Sequence, residues 1–278
     1  MKIYKFGKIP TGSVQEMKGM LRLIDKSIPQ IIVLSATTET TERLAGIAAH
    51  LFNRDTEQAH DEISRLEVRF IDFANELFND ESIKQQAVDS IIDRFRTLWN
   101  FTRQRFTSVD EKDILAQGEF ISSMLVSLYL KEQGINNRLL NSLDFMRLAP
   151  EEEPDMEYIG TKLHLLLAEH KSTNVFLTQG HLCRNAYNET CYLKQGGDDV
   201  SATLIGAALQ AQEVCLWTDS KELHRCDPRF VKHPAMVKQL SFDEAEQLAY
   251  CGWTGFNPHC ILPARENNIP IRLLCSME

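Results

Sequence analysis

The chain has 278 residues, 43% hydrophobic and 25% charged, the balance of an ordinary globular protein with a sizeable core. Its net charge of −9 argues against a DNA or RNA partner, which needs a basic face, and no apolar run reaches the ~18 residues of a membrane span. The start, Met1-Lys2-Ile3-Tyr4-Lys5, leads into no signal-peptide apolar segment, and seven cysteines without a C-x-x-C pair predict reduced thiols in a cytoplasm.

Ile3-Tyr4-Lys5-Phe6 reads as a first strand ending at Gly7. Val14, Met17, Met20, Leu21 and Ile24 then share one face of a helical pattern. Gln30-Ile31-Ile32-Val33-Leu34-Ser35 is a β-branched run of the kind found in parallel strands covered on both faces. Thr37, Thr38, Thr40 and Thr41 lead from it into another helix. From about residue 44 to about 106 the pattern is helical throughout, with Ile63, Leu66, Phe70, Phe73 and Leu77 at three-to-four spacing. This stretch is expected as an insertion of packed helices.

One helix is predicted through Asp113 and on to Leu128, with Gly118 and Glu119 on its inner face, an odd pair for packing alone. The acidic run Glu151-Glu152-Glu153-Pro154-Asp155 reads as a solvated loop before a helix, with Asp155 as its N-cap. Asn174-Val175-Phe176-Leu177-Thr178 is a second buried strand, closed by Gln179-Gly180. A hairpin through Asn188 follows, and Gly196-Gly197 opens a helix carrying Leu204, Ile205, Ala208 and Leu209. Glu213-Val214-Cys215-Leu216-Trp217 is the next strand, with Thr218-Asp219 at its end. A helix over 242–250, another near 260–265 and a strand over 269–274 complete the chain.

The alternation predicts a three-layer α/β/α sandwich with a mainly parallel sheet and a helical insertion. Residues 1–197, including the insertion, are expected to form an N-terminal lobe, and residues 198–278 a C-terminal one. In such a sheet the loops at strand C-termini converge on one crevice. Here those loops are 5–12, 35–41, 178–181 with 196–201, and 218–229. A double-glycine turn entering a helix can hold phosphate through backbone N–H groups and the helix dipole. Yet Asp198 and Asp199 follow the glycines at once, and phosphate avoids carboxylates.

Phosphoryl transfer needs backbone donors, a cation on the transferred group and a group holding the acceptor. Lys5 could supply the cation, Thr218 and Asp219 could meet a nucleotide, and Arg229 could pair with phosphate. Each has a plainer reading: a surface lysine, a strand-end turn with a helix cap, a partner for a nearby carboxylate. His181, His224 and His259 share no ligand spacing with the cysteines, so no metal site is expected.

Taken together, Lys5-Phe6-Gly7, Ser35-Ala36, Gln117-Gly118-Glu119, Thr178-Gln179-Gly180, Trp217-Thr218-Asp219, Asp227-Pro228-Arg229, the run from Phe242 to Tyr250, Ile261-Leu262-Pro263-Ala264 and Asn268-Ile269-Pro270-Ile271-Arg272 resemble the aspartokinases of the amino-acid kinase family. The resemblance covers nearly the whole chain and concerns the catalytic domain only, with no ACT-type regulatory domain. It implies transfer of the γ-phosphate of ATP, bound with Mg²⁺, to the side-chain carboxylate of L-aspartate. It implies small-molecule ligands, no nucleic acid or membrane partner and a cytoplasmic location, and leaves homo-oligomerisation open. By this resemblance the two lobes bind the amino acid and the nucleotide respectively. Lys5 and Asp199 would be catalytic. Thr41, Glu119 and Gln195 would face the acceptor, Glu119 meeting its ammonium. Gly7, Lys8, Gly196, Gly197, Thr218, Asp219, His224, Arg229 and Thr254 would surround the nucleotide.

Four departures bear on activity. The family's Lys-Phe-Gly-Gly-Thr-Ser loop reads Lys5-Phe6-Gly7-Lys8-Ile9-Pro10, so Lys8 replaces a glycine and Pro10 removes an N–H and a hydroxyl. Arg-Gly-Gly-Ser-Asp reads Gln195-Gly196-Gly197-Asp198-Asp199, so Gln195 replaces the arginine expected to fork onto the acceptor carboxylate. His224 stands at a usual tyrosine, and Thr254 at a usual lysine. Each lost transition-state donor costs roughly 100- to 1,000-fold in rate. The expectation is an aspartokinase-like protein, a candidate pseudoenzyme, with aspartate kinase activity severely reduced or lost. An active enzyme compensated by Lys8, or a kinase for a different small acid, is the alternative.

Overall fold

The structure, a computed structural model, describes residues 1–6, 13–21, 24–193, 197–218, 237–250 and 257–275. Six parallel strands form one sheet in the order β3-β4-β2-β1-β7-β8. They are β1 (Lys2–Lys5), β2 (Gln30–Leu34), β3 (Asn137–Leu140), β4 (Val175–Gln179), β7 (Glu213–Thr218) and β8 (Ile271–Cys275). A separate antiparallel hairpin joins β5 (Leu182–Arg184) to β6 (Thr190–Tyr192), with Asn188 taking the positive φ its turn requires. All five residues of β2 are buried, as the apolar run predicts.

Alternate side chains of β2 serve two cores, because successive residues of a strand point to opposite faces. Ile32 and Leu34 join a cluster with Leu44, Ile63, Phe70, Phe95 and Leu125. Ile31 and Val33 join one with Ile159, Leu163, Leu204, Ile205, Val214 and Ile261. The first layer is built from α2 (Thr38–Phe52), α3 (Thr56–Leu77), α4 (Glu81–Phe101) and α5 (Ser108–Glu132). The second holds α6 (Met156–Ala168), α7 (Gly197–Ala208) and α9 (Ile261–Glu266), with α8 (Phe242–Tyr250) against it. Helix α1 (Val14–Leu21) buries Val14 and Met17 on the first side. The expected three-layer sandwich is the observed one.

The helical insertion resolves into the rest of α2, then α3 and α4. Asp55 and Asp80 cap the last two, accepting from the N–H groups of Gln58 and Ile83. Thr107 and Asp110 form a reciprocal capping box on α5. Gly118 has a packing reason after all: a Cβ there would sit 3.0 Å from both Leu44 Cδ1 and Thr40 Cγ2, so glycine lets α5 close on α2. Strand β3 leaves no mark in the apolar pattern, being a short edge strand that begins Asn137-Arg138. Among the described residues no helix is long and apolar enough to cross a membrane.

Asp155 caps α6 as the sequence predicts, accepting from the Tyr158 N–H at 3.1 Å and pairing with Arg147. The Arg147 guanidinium, then the Tyr158 N–H, hold its carboxyl below the ordinary carboxylate value. A depressed acid stabilises above its unfolded pKa and loses that contribution as pH falls through the folded one. Asp155→Ala should therefore cost about 1 kcal/mol at neutral pH, a fall of about 2–4 °C in Tm. Melting curves of the two proteins should converge as pH drops below about 4. A gap that is constant in acid would remove the carboxylate from the account.

Candidate functional site

The chain leaves β1 on one side for β2 and returns for β7 on the other, so the sheet reverses direction at β1. Ligands of open parallel sheets bind outside the strand C-termini at such a reversal. Lys5 ends β1 at that point. Its Nζ lies 2.8 Å from Asp199 Oδ1, and the two side chains are only 13% and 18% exposed, so this is no solvated surface pair. Asp199 reaches Lys5 from the first turn of α7, whose free N–H groups make the end electropositive.

The opposite wall comes from the middle of α5. Glu119 is partly buried overall, but its Oε2 is fully enclosed and has no hydrogen-bond partner. Burial raises its pKa well above the ordinary value, and the Asp198 carboxylate raises it further, against a backbone N–H from Ala36 that lowers it. The helix is locked here by a polar chain. Ser123 Oγ donates to the Glu119 carbonyl at 2.8 Å and accepts from Gln179 Nε2 at 2.7 Å, while Gln179 Oε1 accepts the Ser142 N–H at 2.9 Å. Gln179, at the end of β4, is buried, so both partners are needed to satisfy its amide.

Between these walls Gly180 and Gly197 are closely covered by side chains. Gly180 donates its N–H to the Leu34 carbonyl at 2.7 Å. A Cβ at Gly180 would lie 2.9 Å from Asp198 Oδ1, so that carboxylate rests directly on the glycine. His181 takes φ +65, a conformation that non-glycine residues seldom adopt, and its N–H donates to Ser201 Oγ at 3.2 Å. The imidazole covers Gly197, where a Cβ would be 2.2 Å from Nδ1. The same Nδ1 is 3.7 Å from Asp198 Oδ1, and the ring lies 5.5 Å from that of Tyr192. Tyr192 donates its hydroxyl to the Lys112 carbonyl, and burial followed by the charge of Glu119 pushes its pKa up.

Of the residues predicted for the site, Lys5, Glu119, Gly197 and Asp199 are brought to this crevice. Thr41 is exposed, and its hydroxyl turns back to the Thr37 carbonyl at 3.2 Å. The buried threonine facing Gly118 is Thr40. Thr218 ends β7 in register with Cys275. Gly7, Lys8, Gln195, Gly196, Asp219, His224, Arg229 and Thr254 lie outside the described residues. Sequence reasoning brought the loop 178–181 to the crevice but gave Gln179 and His181 no role in it, and it missed Tyr192, which no local pattern marks.

Residues 11–275 match the family described as "Amino acid kinase family". Aspartokinase 2, chloroplastic, of Arabidopsis thaliana is 27% identical over 283 residues, covering 98% of this chain and 51% of that protein. Aspartokinase of Chlamydia trachomatis is 26% identical over 276 residues, covering 97% of this chain and 60% of its own. E. coli aspartokinase III in complex with aspartate and ADP superposes with a TM-score of 0.83 at 22% identity, over 100% of this chain and 62% of that one. At that identity the likeness is one of fold. The chain spans between 30% and 60% of the length of the curated relatives it matches.

The unpartnered Oε2 of Glu119 carries a testable cost. Its raised pKa means that the folded state holds a proton the unfolded state has released above about 4.5. Its contribution is thus favourable below that value and is lost as pH rises through the folded pKa. Glu119→Gln keeps the shape and removes the charge, so it should raise Tm at pH 8, with the gain shrinking as pH approaches about 4.5. A variant less stable than the parent at pH 8 would contradict this account.

Proposed function

The chain belongs to the amino acid kinase family, and from that premise we propose that it is an aspartokinase-type catalytic domain with severely reduced or lost transfer of the ATP γ-phosphate to L-aspartate. It would retain binding of a nucleotide and a small acid. In this reading residues 1–197 hold the acceptor and residues 198–278 the nucleotide, with the boundary in the first turn of α7. Lys5 and the start of α7 would face the transferred phosphate. Glu119 would take the acceptor ammonium, which would supply the partner its enclosed Oε2 lacks.

The observation that carries the reading is the placement of Asp198. Its carboxylate rests on Gly180, beside His181, and close enough to Glu119 to raise that residue's pKa. An incoming phosphate or acceptor carboxylate at ~4 Å from it would be repelled by about 4 kcal/mol at an intermediate dielectric. Gln195 offers no cation to offset this, since glutamine stands where the family's arginine would pair with the acceptor. Losing such a charge partner costs roughly 2–5 kcal/mol. Among the described residues no group of three or more His, Cys, Asp or Glu is arranged to hold a metal. A magnesium ion would therefore be held largely by the nucleotide's own phosphate oxygens and water.

A second reading, a kinase for a different small acid, draws support from the same Asp198–His181 pair, which gives the acceptor side a chemistry unlike that of an arginine fork. Calorimetric titration with MgATP and then L-aspartate, followed by an aspartate-dependent ADP-release assay, separates the two. The expected result is nucleotide binding with aspartate turnover far below the ~10 per second typical of enzymes. Turnover at that ordinary level would overturn the proposal.

The double substitution Gln195→Arg with Asp198→Ser should tighten aspartate binding by at least about thirtyfold, the low end of a recovered charge pair. Unchanged aspartate affinity in a folded double variant would mean that the acceptor is another compound.

A further inference from the structure

We propose that Cys183 and Cys191 are a reversible dithiol–disulfide couple, a modification site that ties the redox state of the β5–β6 hairpin to the conformation of the acceptor crevice. The two residues are direct register partners across the hairpin, and their sulfurs are 3.2 Å apart. Backbone bonds from Leu193 N–H to the His181 carbonyl and from Asn185 N–H to the Glu189 carbonyl sit two residues to either side. Alternation along an antiparallel ladder puts Cys183 and Cys191 in the hydrogen-bonded position, with Cα atoms about 5.5 Å apart. That separation lies inside the span a disulfide bridges, about 4.4–6.8 Å. No other element has to move to bring the thiols together.

The two thiols are not equivalent. Cys191 is slightly exposed and Cys183 fully buried. The two sulfurs share one hydrogen bond in which either thiol can donate, and Lys112 favours the thiolate of both. Cys191, the only one of the two that touches solvent, is the thiol a peroxide reaches first, and Cys183 behind it is the resolving thiol. With a hydroperoxide as oxidant, the Cys191 thiolate attacks the peroxide oxygen. The O–O bond breaks, giving a sulfenic acid and an alkoxide or hydroxide that takes a proton. Cys183 sulfur then displaces the sulfenic oxygen, which leaves as water with the Cys183 proton. Two thiols are oxidised by two electrons and one hydroperoxide is reduced. The other described thiols of the sheet and its helix layer do not share this setting. Burial pushes Cys215 up to about 11 and Cys260 up to about 12, which leaves them inert.

The link to the crevice is covalent and short. His181, two residues before Cys183, touches Asp198 and covers Gly197. Tyr192, next to Cys191, packs against the His181 ring. Leu193 is bonded to the His181 carbonyl and leads toward the double-glycine turn. Closing the sulfurs to about 2.05 Å draws the strands together beside the contact of His181 with Tyr192. The bond closes only a short loop, so its effect on global stability is at the low end for disulfides and its effect is local. The couple stands whether or not the chain transfers phosphate.

The test uses the full chain, folded, treated with hydrogen peroxide and then alkylated. Trypsin cuts after Arg184 and separates the two cysteines, so the bridge appears as a linked peptide pair that dithiothreitol releases. The expected results are loss of two hydrogens from the intact mass, the Cys183–Cys191 pair in the map, and slower amide exchange over 197–204 that reverses on reduction. Cys183→Ala and Cys191→Ala should each abolish all three, and Cys183→Ala should instead trap an adduct on Cys191. Over-oxidation of Cys191 without a bridge, a bridge to another cysteine, or a bridge that leaves exchange over 197–204 unchanged would each overturn the proposal.

Discussion

The contact between Lys5 and Asp199 organises the rest of the molecule. It joins the end of the central strand to the first turn of the helix that returns the chain across the sheet. A lysine at that place is largely withdrawn from water and needs its carboxylate. The partner is available only because α7 begins directly over the C-terminal end of β1. That in turn requires β1 to sit between β2 and β7, the point where the order of strands reverses. Sheet order, helix position and charge pairing are therefore one constraint seen at three scales.

The crevice around this pair is unevenly supplied. On the Lys5 side, cation, carboxylate and helix dipole are balanced. On the Glu119 side, the charge of Asp198 acts on a second carboxyl, with one backbone N–H on Glu119 and one imidazole beside Asp198. Burial first and the second charge next raise the pKa of the Glu119 carboxyl, so the folded chain holds that proton more firmly than the unfolded one does. If Glu119 takes an ammonium group as proposed, stability and binding pull in opposite directions at this residue.

Much of this was legible in one dimension. The run of four apolar residues in β2 and the three-to-four spacing through α3 each reflect a local rule, burial on two faces or on one stripe, and each appears as expected. Asp155 announces itself as a cap because capping depends on residues three apart. Strand β3 escaped notice because an edge strand needs no apolar run. Gly118 looked like a site residue and is a packing residue, since its reason lies in a helix that begins 80 positions upstream, at Thr38.

By itself, then, the sequence determined the family, the kinds and order of the elements apart from β3, and the identity of Lys5, Glu119 and Asp199 as groups to watch. These follow from short-range periodicity and from motifs whose members are close in the chain. Only the tertiary structure decided what surrounds them: Asp198 on Gly180 and beside Glu119, His181 over Gly197, and two cysteines face to face behind the crevice. Those relations join residues from separate strands, helices and loops. Their energies depend on distance and on exclusion of water, and neither is written in the order of residues along a chain.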